Sequence, residues 1–232
     1  KSRYKIKTIY FLDETFNWNK QRLKEFSEAY KKEINLPYEC CLRADLCDEE
    51  VFKYLKNSNC YKVAIAIESG NERVLKQIVN KPVNLKTAPE KIALAQKYGI
   101  YVCVNFVIGM PDETWQEIRE SLHYAETCGA DYVKIFVANP IKGTRMYDTA
   151  KKKGYIVGDE NTIDWRYGRI KTPEFDPKDI SILRAYEWDR INFTNPAKRL
   201  RTAKMMGISL EELDNIRRET RKVLTFEGMA YD

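Results

Sequence analysis

The sequence predicts an α/β protein built on parallel strands, and three observations carry that prediction. Five short apolar segments, rich in β-branched and aromatic residues, recur over about 140 residues. Each is followed by a stretch with helical periodicity. The helical stretches begin and end on recognisable capping residues. Strict β-α alternation with apolar strands means parallel strands covered by helices. Right-handed crossovers then leave two arrangements, a doubly wound sheet or a barrel-like one.

The elements follow in order. Ile6 to Leu12 (IKTIYFL) reads as a buried strand and ends in Asp13-Glu-Thr-Phe16. An amphipathic helix is predicted over about Lys20 to Lys32, then a strand over Pro37 to Arg43, closed by Arg43-Ala-Asp45. Asp48 is placed to cap the helix that runs to about Lys56. Tyr61 to Ile67 is the third strand and ends in Glu68-Ser-Gly70; a helix is predicted over Glu72 to Val79. Thr87-Ala-Pro-Glu90 has the form of a capping box, and Gly99 that of a helix stop. Ile100 to Ile108 is the fourth strand, ending in Gly109-Met-Pro-Asp-Glu-Thr114, and Thr114-Trp-Gln-Glu117 is a second capping box. Asp131 to Val137 is the fifth, ending in Ala138-Asn-Pro140. After residue 155 the pattern changes. An irregular aromatic stretch, Asp164 to Pro173, precedes three helices started by Asp176-Pro177, Asn195-Pro196 and Ser209-Leu-Glu-Glu212. The expected organisation is therefore a β/α part over 1–155 and a C-terminal extended and helical part over 156–232.

Composition narrows the function. No apolar run approaches the ~20 residues of a membrane span, and Lys1 to Lys7 lacks the apolar segment of a secretion signal. A cytoplasmic protein is expected. Net charge is +6, spread evenly: 23 basic against 20 acidic residues over 1–150, and 17 against 14 over 151–232. That is a weak footprint for nucleic acid. No pair of the six cysteines has C-x-x-C spacing, and His123 is the one histidine. A Cys/His zinc site is thus nearly excluded, and His123 reads as a packing or surface residue of a helix. No G-x-G-x-x-G follows a strand and no P-loop motif occurs.

Ligands of parallel α/β folds bind at the carboxyl ends of the strands. Here those ends carry Asp13 and Glu14, Arg43 and Asp45, Glu68 and Ser69, Gly109 and Glu113, then Asn139. Carboxylates, a guanidinium and an amide suit a zwitterionic, hydroxyl-rich ligand.

The succession Ile9-Tyr-Phe-Leu-Asp-Glu-Thr-Phe16, Arg43-Ala-Asp45, Ile67-Glu-Ser-Gly70, Phe106 to Thr114 (FVIGMPDET) and Ala138-Asn-Pro-Ile-Lys-Gly-Thr144 resembles the radical SAM superfamily. The likeness is greatest to the branch whose members often carry a cobalamin-binding domain. It covers about residues 5–155. The resemblance implies a partial (β/α)6 TIM-like barrel with strands 2–6 present, followed by a C-terminal helical appendage. It further implies S-adenosylmethionine as cofactor, a [4Fe-4S] cluster in the intact protein, and reductive cleavage to a 5′-deoxyadenosyl radical that modifies a substrate. Cobalamin, with methyl transfer or cyclisation, is a further implied element, and a flavodoxin or ferredoxin the implied reductant. Carried onto this sequence, Asp13 and Glu14 match the segment near the methionine ammonium, and Arg43 complements the carboxylate. Glu68 and Ser69 match a polar contact to ribose or methionine. Gly109 belongs to the turn, Val107 to Glu113, near the adenine, where Glu113 holds the turn; Ala138 and Asn139 meet the adenine through the backbone, and Asn105 is a further cofactor-binding candidate.

One departure stands out. The family holds its cluster with C-x-x-x-C-x-x-C after the first strand, and this chain has no such motif. The expectation is a fragment of a longer enzyme, itself inactive, that self-associates through the edge strand Ile6–Leu12. Two rival readings are a barrel lyase or aldolase, which needs a strand-end lysine, and a non-catalytic module binding RNA or protein through Arg199, Arg201, Arg217, Arg218 and Arg221.

Overall fold

A computed structural model describes residues 4–222. The protein is of the α/β class, a partial TIM-like barrel whose five parallel strands follow the order β1-β2-β3-β4-β5. The strands are β1 (Ile9–Tyr10), β2 (Tyr38–Leu42), β3 (Cys60–Glu68), β4 (Tyr101–Ile108) and β5 (Tyr132–Val137). Helices α1 (Lys20–Glu33), α2 (Glu49–Asn57), α3 (Ala88–Lys97), α4 (Trp115–Thr127) and α5 (Arg145–Lys152) alternate with them, and α6 (Pro177–Phe193), α7 (Pro196–Met206) and α8 (Leu210–Arg221) form the helical appendage. No helix among the described residues is long and apolar enough to cross a membrane. The chain divides into two compact units. The first comprises Lys1–Ile67, Val83–Val104 and Cys128–Tyr132, the second Glu68–Pro82, Asn105–Thr127 and Val133–Asp232.

In the first unit an aromatic cluster organises the core. Phe11, Phe16, Phe26, Tyr30 and Tyr38 meet mostly edge to face at 5.0–6.0 Å, a geometry that adds to the burial of the rings. Asn19 and Asp48 cap α1 and α2 through their side chains. Strand β2 pairs with β3 from Tyr38↔Cys60 to Leu42↔Ile65, with a one-residue shift that leaves Tyr61 bulged. Two expectations fail here. The strand predicted over Ile6–Leu12 shrinks to Ile9–Tyr10, and Tyr10 and Leu12 are exposed. Only Ile9 and Tyr10 pair with β2, at Tyr38 and Glu39, and Phe11 is the one of these seven residues that reaches the aromatic cluster. The capping box at Thr87 also does not form. Thr87 is already helical and makes no side-chain cap bond; the Asn84 side chain instead accepts from the Lys86 and Thr87 N–H groups (2.9 and 3.3 Å).

In the second unit, the capping boxes at Thr114–Glu117 and Ser209–Glu212 are made. Helix α6 covers β5 with side chains that imitate a neighbouring strand. The Asn192 amide accepts from the Val133 N–H and donates to the Val133 carbonyl, both at 2.8 Å, and Arg184 Nε donates to the Ile135 carbonyl at 2.9 Å. These bonds satisfy backbone groups that an uncovered strand would leave open. The helix predicted over Glu72–Val79 is a π-helical turn, Val74–Val79, that ends on Asn80 in the left-handed conformation.

Candidate functional site

The strand-end residues fall in both units. In the first, Asp13 and Glu14 stand exposed in the turn after β1, and Asp13 makes a loose ion pair with Arg22 at 3.4 Å. Arg43 follows β2. Its guanidinium is fastened to Asp45 at two points (3.1 and 2.7 Å), which raises its pKa further. The buried Asn17 fixes the Arg43 backbone by accepting from its N–H (3.0 Å) and donating to its carbonyl (3.1 Å). Asn17 was missed in the sequence, although an amide between Phe16 and Trp18 is a signal for a buried polar anchor.

The thiols do not fit an iron–sulfur cluster. All six cysteines are free, and five of them are buried. Burial raises the Cys40 pKa well above its ordinary value and pushes Cys47 up to about 12, whereas a cluster ligand is a thiolate. Cys41 lies 3.5 Å from the Tyr10 hydroxyl. Among the described residues no group of three or more His, Cys, Asp or Glu could hold a metal ion.

In the second unit, Glu68 ends β3 with φ +74°, and Asn80 ends the π turn with φ +56°. Left-handed backbone is costly for residues with a Cβ, and such strain gathers at ligand sites; π turns do so too. Both residues line one cavity of about 450 Å³, together with Val107 and Met110 of the β4 end and Thr144, Arg145 and Met146 at the start of α5. Lys81 holds the Glu68 carboxylate at 2.8 Å, and Arg145 donates to the Gln77 carbonyl at 2.6 Å. The cavity therefore offers a half-buried carboxylate, an amide, a hydroxyl and a guanidinium over an apolar floor, a mixture suited to a small polar ligand.

The neighbouring residues have other duties. Ser69 is fully buried; its hydroxyl meets that of Ser121 at 2.8 Å and accepts from the Asn71 N–H. Gly70 is dictated by packing, since a Cβ there would stand 2.5 Å from Tyr124 Cβ and 2.8 Å from Ser121 Cα. Asn105 is half-buried on β4, on the same strand face as the cavity-lining Val107. Gly109 takes φ +80°, and a Cβ there would stand 2.8 Å from Ile180 Cγ2. Glu113 closes that turn: its Oε2 accepts from the Gly109 and Met110 N–H groups at 2.8 and 3.0 Å, while Oε1 is buried with no hydrogen-bond partner among the described residues. Burial raises the Glu113 pKa to about 7. Glu117, bonded to Arg73 at 2.5–2.6 Å and to Thr114, is held near 2 instead. Ala138, buried, donates its N–H to the Ile108 carbonyl at 2.9 Å. The Asn139 amide donates to the Val137 and Asp164 carbonyls, both at 3.1 Å.

Residues 1–125 match the family model described as the radical SAM superfamily. An uncharacterized methyltransferase of Pyrococcus horikoshii is 31% identical over 70% of this chain and 35% of its own length. Cytidylyl-2-hydroxyethylphosphonate methyltransferase of Streptomyces wedmorensis is 30% identical over 80% of this chain and 36% of its own length. The chain thus spans about a third of the length of these curated relatives. Among solved structures, the radical S-adenosylmethionine methyltransferase TsrM of Kitasatospora setae, with cobalamin and a [4Fe-4S] cluster bound, superposes with a TM-score of 0.60 at 15% identity, over 95% of this chain and 53% of that one. The cobalamin-dependent S-adenosylmethionine radical enzyme OxsB gives 0.59 at 15% identity, over 96% and 40%.

Proposed function

Because the chain belongs to the radical SAM superfamily, we propose that it is the S-adenosylmethionine-binding part of an enzyme that cleaves this cofactor reductively and modifies a substrate by methyl transfer. The observation that carries the reading is the cavity at Glu68 and Asn80, two left-handed residues flanking a π turn at the end of β3. In this reading Glu68 accepts from ribose hydroxyls or from the methionine ammonium. Gly109 and the Glu113-held turn, with Asn105, lie beside the adenine, and Ala138 and Asn139 border it. Ser69 positions the Glu68 turn from its buried bond with Ser121. The β/α part over 1–155 holds the cofactor, and the part from 156 onward faces the substrate.

When bound, the superfamily's cluster would supply the electron that breaks the sulfonium bond; the cysteines of this chain do not fit it. Methyl transfer is favoured because two relatives are named methyltransferases and TsrM and OxsB are described with cobalamin. Cobalamin as a cofactor, a flavodoxin or ferredoxin as electron donor and a cytoplasmic setting belong to the same proposal.

The rival readings have less support. Lys134 is exposed in the middle of β5 and Lys142 bonds Asn161, so neither is a strand-end Schiff-base lysine. Arg199 pairs with Asp214, and Arg217 and Arg221 with Asp189, so three of the five arginines of that reading already face carboxylates. Hydrogen exchange on the full-length protein tests the proposal. S-adenosylmethionine should protect residues 68–81 and 105–113; protection absent from both segments contradicts it.

A further inference from the structure

We propose that the second unit holds another ligand site, a cavity of about 610 Å³ formed by residues 163–166, Arg184 and the end of α8 at Glu219 and Thr220, and that it binds a planar aromatic ring bearing an anionic group. Its volume lies in the range of small-molecule pockets, roughly 300–1,000 Å³.

The aromatic part follows from Trp165. The residue is 50% exposed, yet its backbone is fixed, because its carbonyl accepts from the Val137 N–H at 3.0 Å and the preceding Asp164 carbonyl accepts from the Asn139 amide at 3.1 Å. The ring itself is backed by Phe136, edge-on at 5.6 Å, and by the Arg184 guanidinium at 5.2 Å. An indole fixed through its backbone, flanked by Phe136 and Arg184 and half exposed, is a stacking platform that loses little entropy when a ring settles on it.

The anionic part follows from the charges. Arg184 is 5% exposed and anchored by Nε to the Ile135 carbonyl, so a cation sits permanently at the wall. The carboxylates that also line the cavity have cations of their own: Asp164 accepts from Arg166 Nε and Nη2 at 2.9 and 2.7 Å, and Glu219 meets Lys222 at 2.8 Å. Arg166 is taken up by Asp164, so the cation that the wall offers a ligand anion is Arg184.

The cavity lies against the carboxyl end of β5, where Ala138 and Asn139 stand. That its ligand is the substrate rests on the function proposed above; that it binds such a ligand does not.

Calorimetry on the full-length protein, without S-adenosylmethionine, tests the site. Guanosine 5′-monophosphate is compared with guanosine, and indole-3-acetate with indole, which separates a phosphate-bearing from a carboxylate-bearing ligand. At least one anionic member should bind about tenfold or more tightly than its neutral partner. Trp165→Leu should weaken that binding by about tenfold, Trp165→Phe should restore most of it, and Glu68→Gln should leave it unchanged. Equal binding of charged and neutral members, no binding in either pair, or an unaffected Trp165→Leu variant would overturn the proposal. Loss of binding in Glu68→Gln would show that the cavity is not separate from the Glu68 site.

Discussion

Glu113 makes stability depend on pH in a direction opposite to that of most carboxylates. The side chain is 1% exposed, and its pKa is raised from 4.5 to about 7 chiefly by burial, against the pull of two backbone N–H bonds and Arg73; Glu117 adds to the rise. The folded state therefore holds its proton where the unfolded chain has released it. Stability from this group is full below about 4.5 and declines as the pH climbs to about 7. The difference corresponds to about 3 kcal/mol at roughly 1.4 kcal/mol per pH unit. Glu113→Gln removes the charge and keeps an oxygen that can accept from Gly109 and Met110. Urea unfolding of both proteins at pH 5 and pH 8 isolates the contribution, because every other titrating group cancels in the comparison. The variant should match the wild type at pH 5 within about 1 kcal/mol and exceed it by about 2–3 kcal/mol at pH 8. A gap that does not change between the two pH values would refute the reasoning, as would a variant less stable at pH 8 than at pH 5 by the wild-type margin.

Three further outcomes follow from the structure. Asn192→Leu strands the Val133 N–H and carbonyl against α6, and urea unfolding should show a loss of at least about 2 kcal/mol; a loss below about 0.5 kcal/mol would mean that water replaces the amide. Anaerobic addition of iron and sulfide to the 232-residue chain should leave no broad absorption near ~400 nm, since no three thiols meet; a stoichiometric cluster spectrum would contradict the cysteine geometry. Tyr10, Leu12 and Trp18 are exposed around the two-residue strand β1, so light scattering should show this chain associating as its concentration rises, and Leu12→Lys should reduce the association. A clean monomer at high concentration would count against that edge as a sticky surface.

The parallel strands and most helices were legible because apolar runs and caps are local signals. Asp48, Thr114, Asp176, Asn195 and Ser209 all cap where their sequence positions imply. What stayed hidden depends on partners distant in sequence. Ile6–Leu12 has strand composition, but composition does not say how many of its residues find a neighbour. The π turn at Val74–Val79 reads as an ordinary helix because its periodicity over six residues is indistinguishable from one. Thr87 loses its cap to Asn84, three residues earlier, through a local turn. At the site, Glu68 stood out as a strand-end carboxylate, yet Lys81, thirteen residues on, could not be named as its partner until the chain was seen to turn back. Asn192 and Asn17 carry no motif; only burial beside open backbone groups reveals their work.

The central claim is that the cavity at the end of β3 receives S-adenosylmethionine through Glu68. Calorimetric titration of the full-length protein and its Glu68→Gln variant with S-adenosylmethionine tests it most directly. Losing one charge-assisted hydrogen bond, about 1.5–3 kcal/mol, should weaken binding by roughly tenfold to a hundredfold. The ion pair with Lys81 is partly exposed, 21–26% at its side chains, so the melting temperature should move little. Unchanged affinity together with a clearly lowered melting temperature would contradict the claim and leave Glu68 as a structural partner of Lys81.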